Sequence, residues 1–146
     1  MDRKILMKIK ELLDKQKYAV IATQKDNVPY TNLVAFASTE GLGSIFFATR
    51  RDTTKFLNML NNPCVSILID NRKNLASDIK NATAVSAEAE AKGVKKNKEK
   101  FKKMLKDKHP ELVGFINEPD CELFELEIKK YYLVDKFNNK NILSMR

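Results

Sequence analysis

The sequence contains one histidine, two cysteines and four glycines, and it has no long apolar run. Because His109 is the only histidine and stands before Pro110 at the end of a predicted helix, we expect a structural or solvated role for it. A histidine-based triad could use only this residue, and a multi-histidine metal site cannot form, so no metal ligands are predicted. No apolar run approaches the roughly 20 residues of a membrane-spanning helix, and residues 2–16 are amphipathic rather than a signal-peptide core. We therefore expect a cytoplasmic protein without a membrane partner.

Cysteine and glycine are also too sparse for two further classes of protein. Cys64 and Cys121 lie in apolar segments without the spacing of metal ligands, which favours reduced, buried thiols over a disulfide. The turn at Gly41-Leu42-Gly43 lacks the third glycine and the following helix of a dinucleotide-binding fingerprint. No glycine-lysine-serine/threonine phosphate loop occurs either, so the common nucleotide-binding loops are excluded.

The net charge of +8 is concentrated in one segment of the chain. Residues 92–108 hold nine lysines against Glu99 and Asp107, and the rest of the chain has 18 basic and 17 acidic residues. Phe101 and Leu105 lie on the other side of the predicted helix, so we interpret its lysines as a solvated face. Arginine and aromatic residues do not alternate there, and nucleic acid is therefore not an expected partner.

Periodicity and turn residues predict a single domain over residues 1–146. Apolar residues at helical spacing predict an amphipathic helix over residues 2–16, and Asp52 is the predicted N-cap of a short helix that ends before Pro63. The alanines and glutamates of 83–91 alternate as in a half-exposed strand but also suit a helix. The predicted strands lie at residues 18–23, 30–38, 44–49, 64–69 and 83–91, with a long last strand around 124–129. Six strands joined mostly by tight turns indicate a mainly β (α+β) fold, an antiparallel barrel with peripheral helices.

The strongest candidate for a binding site is the segment from Thr49 to Lys55, where a strand ends and a helix begins. Three cations and three hydroxyl groups fall within these seven residues. Free amides at a helix N-terminus, hydroxyl donors and guanidinium or ammonium groups together hold a phosphate without a glycine-rich loop. An ordinary capped, basic surface turn has the same composition, so the spacing alone leaves both interpretations open.

Several segments resemble, in the right order, the pyridoxamine 5′-phosphate oxidase-like split-barrel flavoproteins. In that family a strand ending in threonine is followed by a serine-arginine-lysine step and by an asparagine-proline entry into the next strand. The matching segments here are Phe46-Phe47-Ala48-Thr49, Thr54-Lys55 and Asn62-Pro63-Cys64-Val65-Ser66. Further similarity is found at Ala19-Val20-Ile21-Ala22-Thr23, Lys108-His109-Pro110-Glu111-Leu112 and Lys130-Tyr131-Tyr132-Leu133-Val134. The resemblance covers nearly the whole chain and implies a six-stranded antiparallel split β-barrel that binds FMN.

The resemblance also implies where the cofactor lies. It places Thr49, Thr54 and Lys55 near the flavin phosphate, with Arg50 or Arg51 as helpers, although Thr54 stands where the family often has arginine. The backbone of a second-strand segment would lie along the flavin ring, and residues 83–87 would reach the ring from nearby or from a partner subunit. That second-strand segment consists of Asn32, Leu33, Val34, Ala35 and Phe36. Plain barrel core is the alternative interpretation for its apolar side chains.

The substrate does not follow from the resemblance. The vitamin-oxidising members end in a segment with arginine and histidine that grips pyridoxal phosphate, and nothing in residues 138–146 matches it. We therefore expect an FMN-dependent oxidoreductase that acts on an unidentified small molecule and is not a genuine pyridoxamine phosphate oxidase. No side chain stands out as a catalytic acid. The alternatives are a deazaflavin- or haem-binding split barrel, a non-enzymatic flavin carrier or sensor, and a basic interaction module.

A homodimer is the expected assembly. A barrel of six short strands is filled by its own side chains, so a tricyclic ring would have to lie outside it. Two copies related by a two-fold axis would enclose two equivalent slots between them, and the family resemblance implies the same arrangement. The predicted shared surface consists of the alternate apolar residues of 30–38 and 83–91.

Overall fold

The computed structural model describes residues 2–137 and 139–145. In this part of the chain the helices are α1 (Arg3–Lys15), α2 (Thr54–Asn61), α3 (Asp78–Asn81), α4 (Lys98–Lys108) and α5 (Val113–Ile116), with a 3-10 turn at Pro110–Leu112. The strands are β1 (Tyr18–Lys25), β2 (Val28–Ser38), β3 (Ser44–Arg50), β4 (Cys64–Asp70), β5 (Thr83–Gly93), β6 (Cys121–Asp135) and β7 (Asn139–Ser144). All six predicted strands are present, and β7 is an additional one.

The strands form one antiparallel sheet in the order β3-β2-β1-β4-β5-β6-β7, and β3 also pairs with β6. This second pairing closes β1 to β6 into a barrel, and β7 extends the sheet beside the second half of β6. The predicted mainly β fold, a six-stranded antiparallel barrel with peripheral helices, is therefore confirmed. No helix in residues 2–137 and 139–145 is long and apolar enough to cross a membrane.

Side chains fill the barrel interior. One row runs across four neighbouring strands from Ile21 to Ile67, Ala87 and Tyr131, and all four are buried. The alternating residues of β5 belong to the same core, so the strand interpretation of 83–91 is correct. Their burial makes part of the predicted shared surface wrong, because these side chains face inward and are not available to a partner. The β5 residues concerned are Val85, Ala87, Ala89 and Ala91.

The helices cover the barrel at different places. Helix α1 buries Ile9, Leu12 and Leu13 against the main core, as its helical spacing predicts. Helix α4 packs on the outer side of β2 and β3, where Leu105 joins a second cluster with Phe46. Because α4 buries this apolar face, Lys98, Lys100 and Lys103 are left exposed, whereas Lys108 is half-buried.

Several boundaries differ from the sequence predictions. The lysine-rich segment 92–108 is helical only from residue 98, because residues 92 and 93 still belong to β5 and Asn97 adopts a left-handed conformation with φ 60°. The N-cap of α2 is Thr53 rather than Asp52. Both cysteines are free, but Cys64 is exposed and Cys121 is half-buried, so the expectation of two buried thiols is wrong.

The barrel is open between β2 and β3. Eleven residues form β2, but only Phe36, Ala37 and Ser38 pair with β3. Residues 28–35 pair with β1 on one edge and have no strand partner on the other in the described part of the chain. This opening is the split of the barrel, and it leaves one edge of β2 free beside the end of β3.

Candidate functional site

The ten predicted cofactor residues flank the opening between β2 and β3. Five of them, residues 32–36, lie on β2, and the other five lie between residue 49 at the end of β3 and residue 55 at the start of α2. Continuing the β2–β3 register beyond Phe36 and Phe47 would set Val34 opposite Thr49. The ladder stops before that pair, so the topology brings both groups of residues to one place without joining them.

On the β2 side, backbone groups rather than side chains are available. The side chains of Val34 and Phe36 are buried in the core, whereas that of Leu33 is 70% exposed. The Phe36 amide donates to the Lys17 carbonyl, which is on the β1 side of the strand. Because backbone direction alternates along a strand, the N–H and C=O of Leu33 point away from β1 and into the opening.

Asn32 is a polar residue at an inward-facing position. It pairs with the buried Ile21 of β1 and is itself half-buried. Its Oδ1 atom is buried and has no hydrogen-bond partner in the described part of the chain. An unsatisfied buried acceptor is costly, so a donor from water or from a ligand would be favourable at this atom.

On the other side of the opening, hydroxyl groups fix the turn from β3 into α2. Thr49 is buried, and its Oγ1 lies 2.9 Å from Oγ1 of Thr53. The Thr53 hydroxyl also accepts from the Phe56 amide at 3.3 Å, which makes it the N-cap of α2. The amides of Thr54 and Lys55 then have no carbonyl partner within the helix. Sequence analysis missed Thr53, although a threonine just before a helical segment is a typical capping signal.

Lys55 differs from the other cations of this segment. It is half-buried, and no hydrogen bond or ion pair involving it is found in residues 2–137 and 139–145. Burial lowers the pKa of its ammonium group below the ordinary value of 10.5. A partly desolvated cation without a counter-charge is a place where an anion would bind favourably.

The two arginines already have acidic partners. Arg51 Nε donates to Glu122 at 2.7 Å, and the Arg50 guanidinium lies 3.4 Å from Asp120 and 3.8 Å from Glu118. The pairing follows from the β3–β6 register, which sets the end of β3 beside the start of β6. These acidic neighbours were not predicted, because sequence separation hides a contact made across the sheet. Lys55 is therefore the one cation of the segment that the described residues leave unpaired.

A family model described as Pyridoxamine 5'-phosphate oxidase matches residues 5–135. The chain belongs to the pyridoxamine 5′-phosphate oxidase family. The resemblance inferred from the sequence motifs is thereby confirmed. A comparison with curated proteins finds no match.

Solved structures with the same fold include two proteins that are described as binding or storing haem. General Stress Protein 26 from Bacillus anthracis superposes with a TM-score of 0.74 at 20% identity, covering 97% of this chain and 98% of that one. The haem storage protein HutZ from Vibrio cholerae gives a TM-score of 0.73 at 18% identity, with 94% and 92% covered. A haem-binding protein from Mycobacterium smegmatis gives 0.82 at 12% identity, but 91% of this chain spans only 55% of that protein. At these identities the similarity concerns the fold.

Two other features of this family member were not part of the predicted cofactor site. A surface groove of about 600 Å³ runs over β1, β4 and β5 and is lined by none of the ten predicted residues. His109 is completely buried, and its Nε2 donates to the Phe36 carbonyl at 2.8 Å, which confirms a structural position for it. In the described ranges, no three histidine, cysteine or acidic side chains are grouped so that they could hold a metal ion.

Proposed function

We propose that the protein is an FMN-binding homodimer and an oxidoreductase that acts on an unidentified small molecule. Membership of the family supports a flavin as the cofactor. The observation that carries the proposal is the ammonium group of Lys55 at the opening of the barrel, which is half-buried and has no partner among the described residues. A phosphate is the anion that FMN brings to such a position.

The phosphate would be held by one cation and by neutral donors. Lys55 supplies the charge, and the unpaired amides of Thr54 and Lys55 at the start of α2 supply hydrogen bonds aligned with the helix dipole. Arg50 and Arg51 contribute less than the sequence suggests, because Glu118, Asp120 and Glu122 already neutralise them. The site therefore fits a phosphate but has fewer free cations than its composition indicates.

The ring would lie along β2. The polar edge of a flavin would meet one donor, the N–H of Leu33, and two acceptors, the C=O of Leu33 and Oδ1 of Asn32. Bound FMN supplies the hydride or electron transfer, while the chain binds, orients and shields it. A second copy over the opening would exclude water from the ring. Residues 139–144 form β7 beside β6, and a grip on pyridoxal phosphate is not part of the proposal.

Haem is the second candidate, since two of the similar solved proteins are described as binding or storing it. The only histidine, His109, is buried and committed to the Phe36 carbonyl, so it would have to leave its position to ligate an iron. A deazaflavin would use the same phosphate site as FMN. The visible spectrum of the purified protein separates the three, because flavin, deazaflavin and haem absorb at different wavelengths.

Replacing Lys55 tests the proposed site directly. We expect Lys55→Ala to weaken FMN binding about 10- to 100-fold, since a charge-assisted hydrogen bond contributes about 1.5–3 kcal/mol. The measurement is quenching of flavin fluorescence in a titration. The matched control is Lys100→Ala, which removes an exposed lysine of α4 and should leave the affinity unchanged. Equal losses in the two variants, or none in Lys55→Ala, would contradict the proposal.

A further inference from the structure

Phe36 is the residue at which β2 changes partners, and groups from outside the strand hold it there. It pairs with Phe47 at the end of the β2–β3 ladder. Its amide donates to the Lys17 carbonyl at 3.3 Å, and its carbonyl accepts from His109 Nε2 at 2.8 Å. Lys108 Nζ lies 4.0 Å from the centre of the Phe36 ring. Contacts from the end of α4 and from the residues after α1 therefore hold both the backbone and the side chain of Phe36.

The bond from His109 has a defined direction. A carbonyl oxygen only accepts, so Nε2 must carry the proton in this contact. Because the His109 side chain is completely buried, water cannot replace it as the donor to the Phe36 carbonyl. Removing the imidazole would leave a buried acceptor unsatisfied, which costs more than the bond itself contributes.

Lys108 also connects Phe36 to helix α1. Its Nζ donates to the Leu13 carbonyl at 2.7 Å, in the last turn of α1, while it also lies over the Phe36 ring. Burial lowers the pKa of Lys108 to about 8, because the charged ammonium group is partly desolvated. The Leu13 carbonyl and the Phe36 ring favour the charged form and offset part of this cost. Lys108 therefore links α1, the end of α4 and Phe36 of β2.

The position of residues 28–35, whose edge towards β3 is unpaired, depends on Phe36. Residues 28–35 pair only with β1, and Phe36 is where that part joins the closed barrel. We propose that His109 and Lys108 are positioning residues for the cofactor site, because they fix Phe36 and through it the backbone of residues 32–35. The cofactor part of this inference rests on the proposed function, whereas the effect on the strand does not.

Three variants and one control test the inference. His109→Leu removes the donor with little change in volume, His109→Gln keeps a donor, and Lys108→Met removes the charge but keeps the apolar stem. Leu143→Ala is the control, since it creates a cavity at a buried position of β7, a strand that pairs with β6 and not with β2. Hydrogen exchange of the Asn32 and Val34 amides is measured in each full-length protein without cofactor, and FMN affinity and the circular dichroism of the flavin band are measured with it.

We expect His109→Leu to speed exchange at Asn32 and Val34, and to weaken FMN binding, each by about tenfold relative to Leu143→Ala. His109→Gln should restore both properties, and Lys108→Met should shift them in the same direction as His109→Leu. If His109→Leu does not fold, the pair of Lys108→Met and His109→Gln gives the same comparison. Unchanged exchange at residues 32 and 34, or an equal change in Leu143→Ala, would overturn the inference. If the wild-type protein binds no FMN while exchange changes as expected, the proposed function fails and the positioning of β2 stands.

Discussion

At the scale of single residues, the surroundings of a cation decide whether it can bind a ligand. Arg50, Arg51 and Lys55 are indistinguishable as candidates in the sequence, but the first two face carboxylates and the third faces none in the described part of the chain. A guanidinium that lies beside carboxylates attracts a phosphate less strongly, because their negative charges offset its own. Lys55 has no such cost, and its burial makes an added anion more favourable.

The lowered pKa of Lys55 predicts how FMN affinity depends on pH. The phosphate binds the ammonium form, and burial moves the loss of that proton to a lower pH than for an ordinary lysine. FMN affinity should therefore fall as the pH is raised above neutrality towards 10.5, the ordinary value. The fall should be smaller in the Lys55→Arg variant, since a guanidinium stays charged, although Lys108, whose pKa burial lowers to about 8, still loses its charge there. A wild-type affinity that does not change with pH would mean that Lys55 is not the phosphate ligand.

The sequence was sufficient to locate the turn at residues 49–55 but not to rank its members. Composition shows hydroxyls and cations near a helix start, and these features are local. The neutralisation of Arg51 by Glu122 arises from the register of β3 against β6, 71 positions apart in the chain. A contact of this kind depends on the closure of the barrel, which no local pattern encodes.

At the scale of elements, the excess positive charge of the protein lies on helix α4 and not at the candidate site. The apolar face of α4 packs against β2 and β3, and Lys98, Lys100 and Lys103 are exposed on the other side. They are also distant in the chain from the turn at residues 49–55. The helix contributes to the site only through its last residues, Lys108 and His109.

Neutralising part of the lysine face should leave the cofactor site intact. We expect replacement of Lys98, Lys100 and Lys103 by glutamine to alter solubility and its dependence on salt, since three exposed charges are removed. The FMN affinity should be the same as in the wild-type protein. A fall as large as in Lys55→Ala, or tight, salt-dependent binding of DNA or RNA that is lost on these replacements, would contradict this assignment.

Strands and helices were predictable to different degrees. Strand β5 is evident from its alternation because one side chain in two is buried in the barrel. Strand β7 was missed because Asn139, Lys140 and Asn141 are polar and only Leu143 of the strand is buried. An edge strand that pairs with β6 alone needs little apolar pattern. The sequence interpretation began β2 at residue 30, two residues after its actual start at Val28. It also could not show that β3 leaves most of the strand unpaired.

At the scale of the whole molecule, the outer face of the sheet presents apolar residues to solvent. Leu33 is 70% exposed, and the β2–β1 and β1–β4 registers set it in line with the half-buried Val20 and Leu68. This surface replaces the buried residues of β5 as the candidate contact between two copies. Leu33 also borders the opening, so a second copy bound there would lie beside the proposed cofactor.

The expected dimer should be linked to cofactor binding. Because the barrel interior is filled, a flavin in the opening is shielded from water only when a second copy covers it. Dilution should therefore release FMN and separate the subunits over the same concentration range, as followed by sedimentation velocity at the flavin band. A monomer that still holds FMN stoichiometrically would rule out this arrangement.

The central claim is that FMN is bound through its phosphate at Lys55, and a comparison of FMN with riboflavin tests it most directly. The two ligands share the ring and differ in the phosphate, so their ratio of affinities isolates that one group. We predict that the wild-type protein binds FMN at least about 100-fold more tightly than riboflavin, and that Lys55→Ala removes most of this difference. Equal affinities for FMN and riboflavin in the wild-type protein would contradict the account.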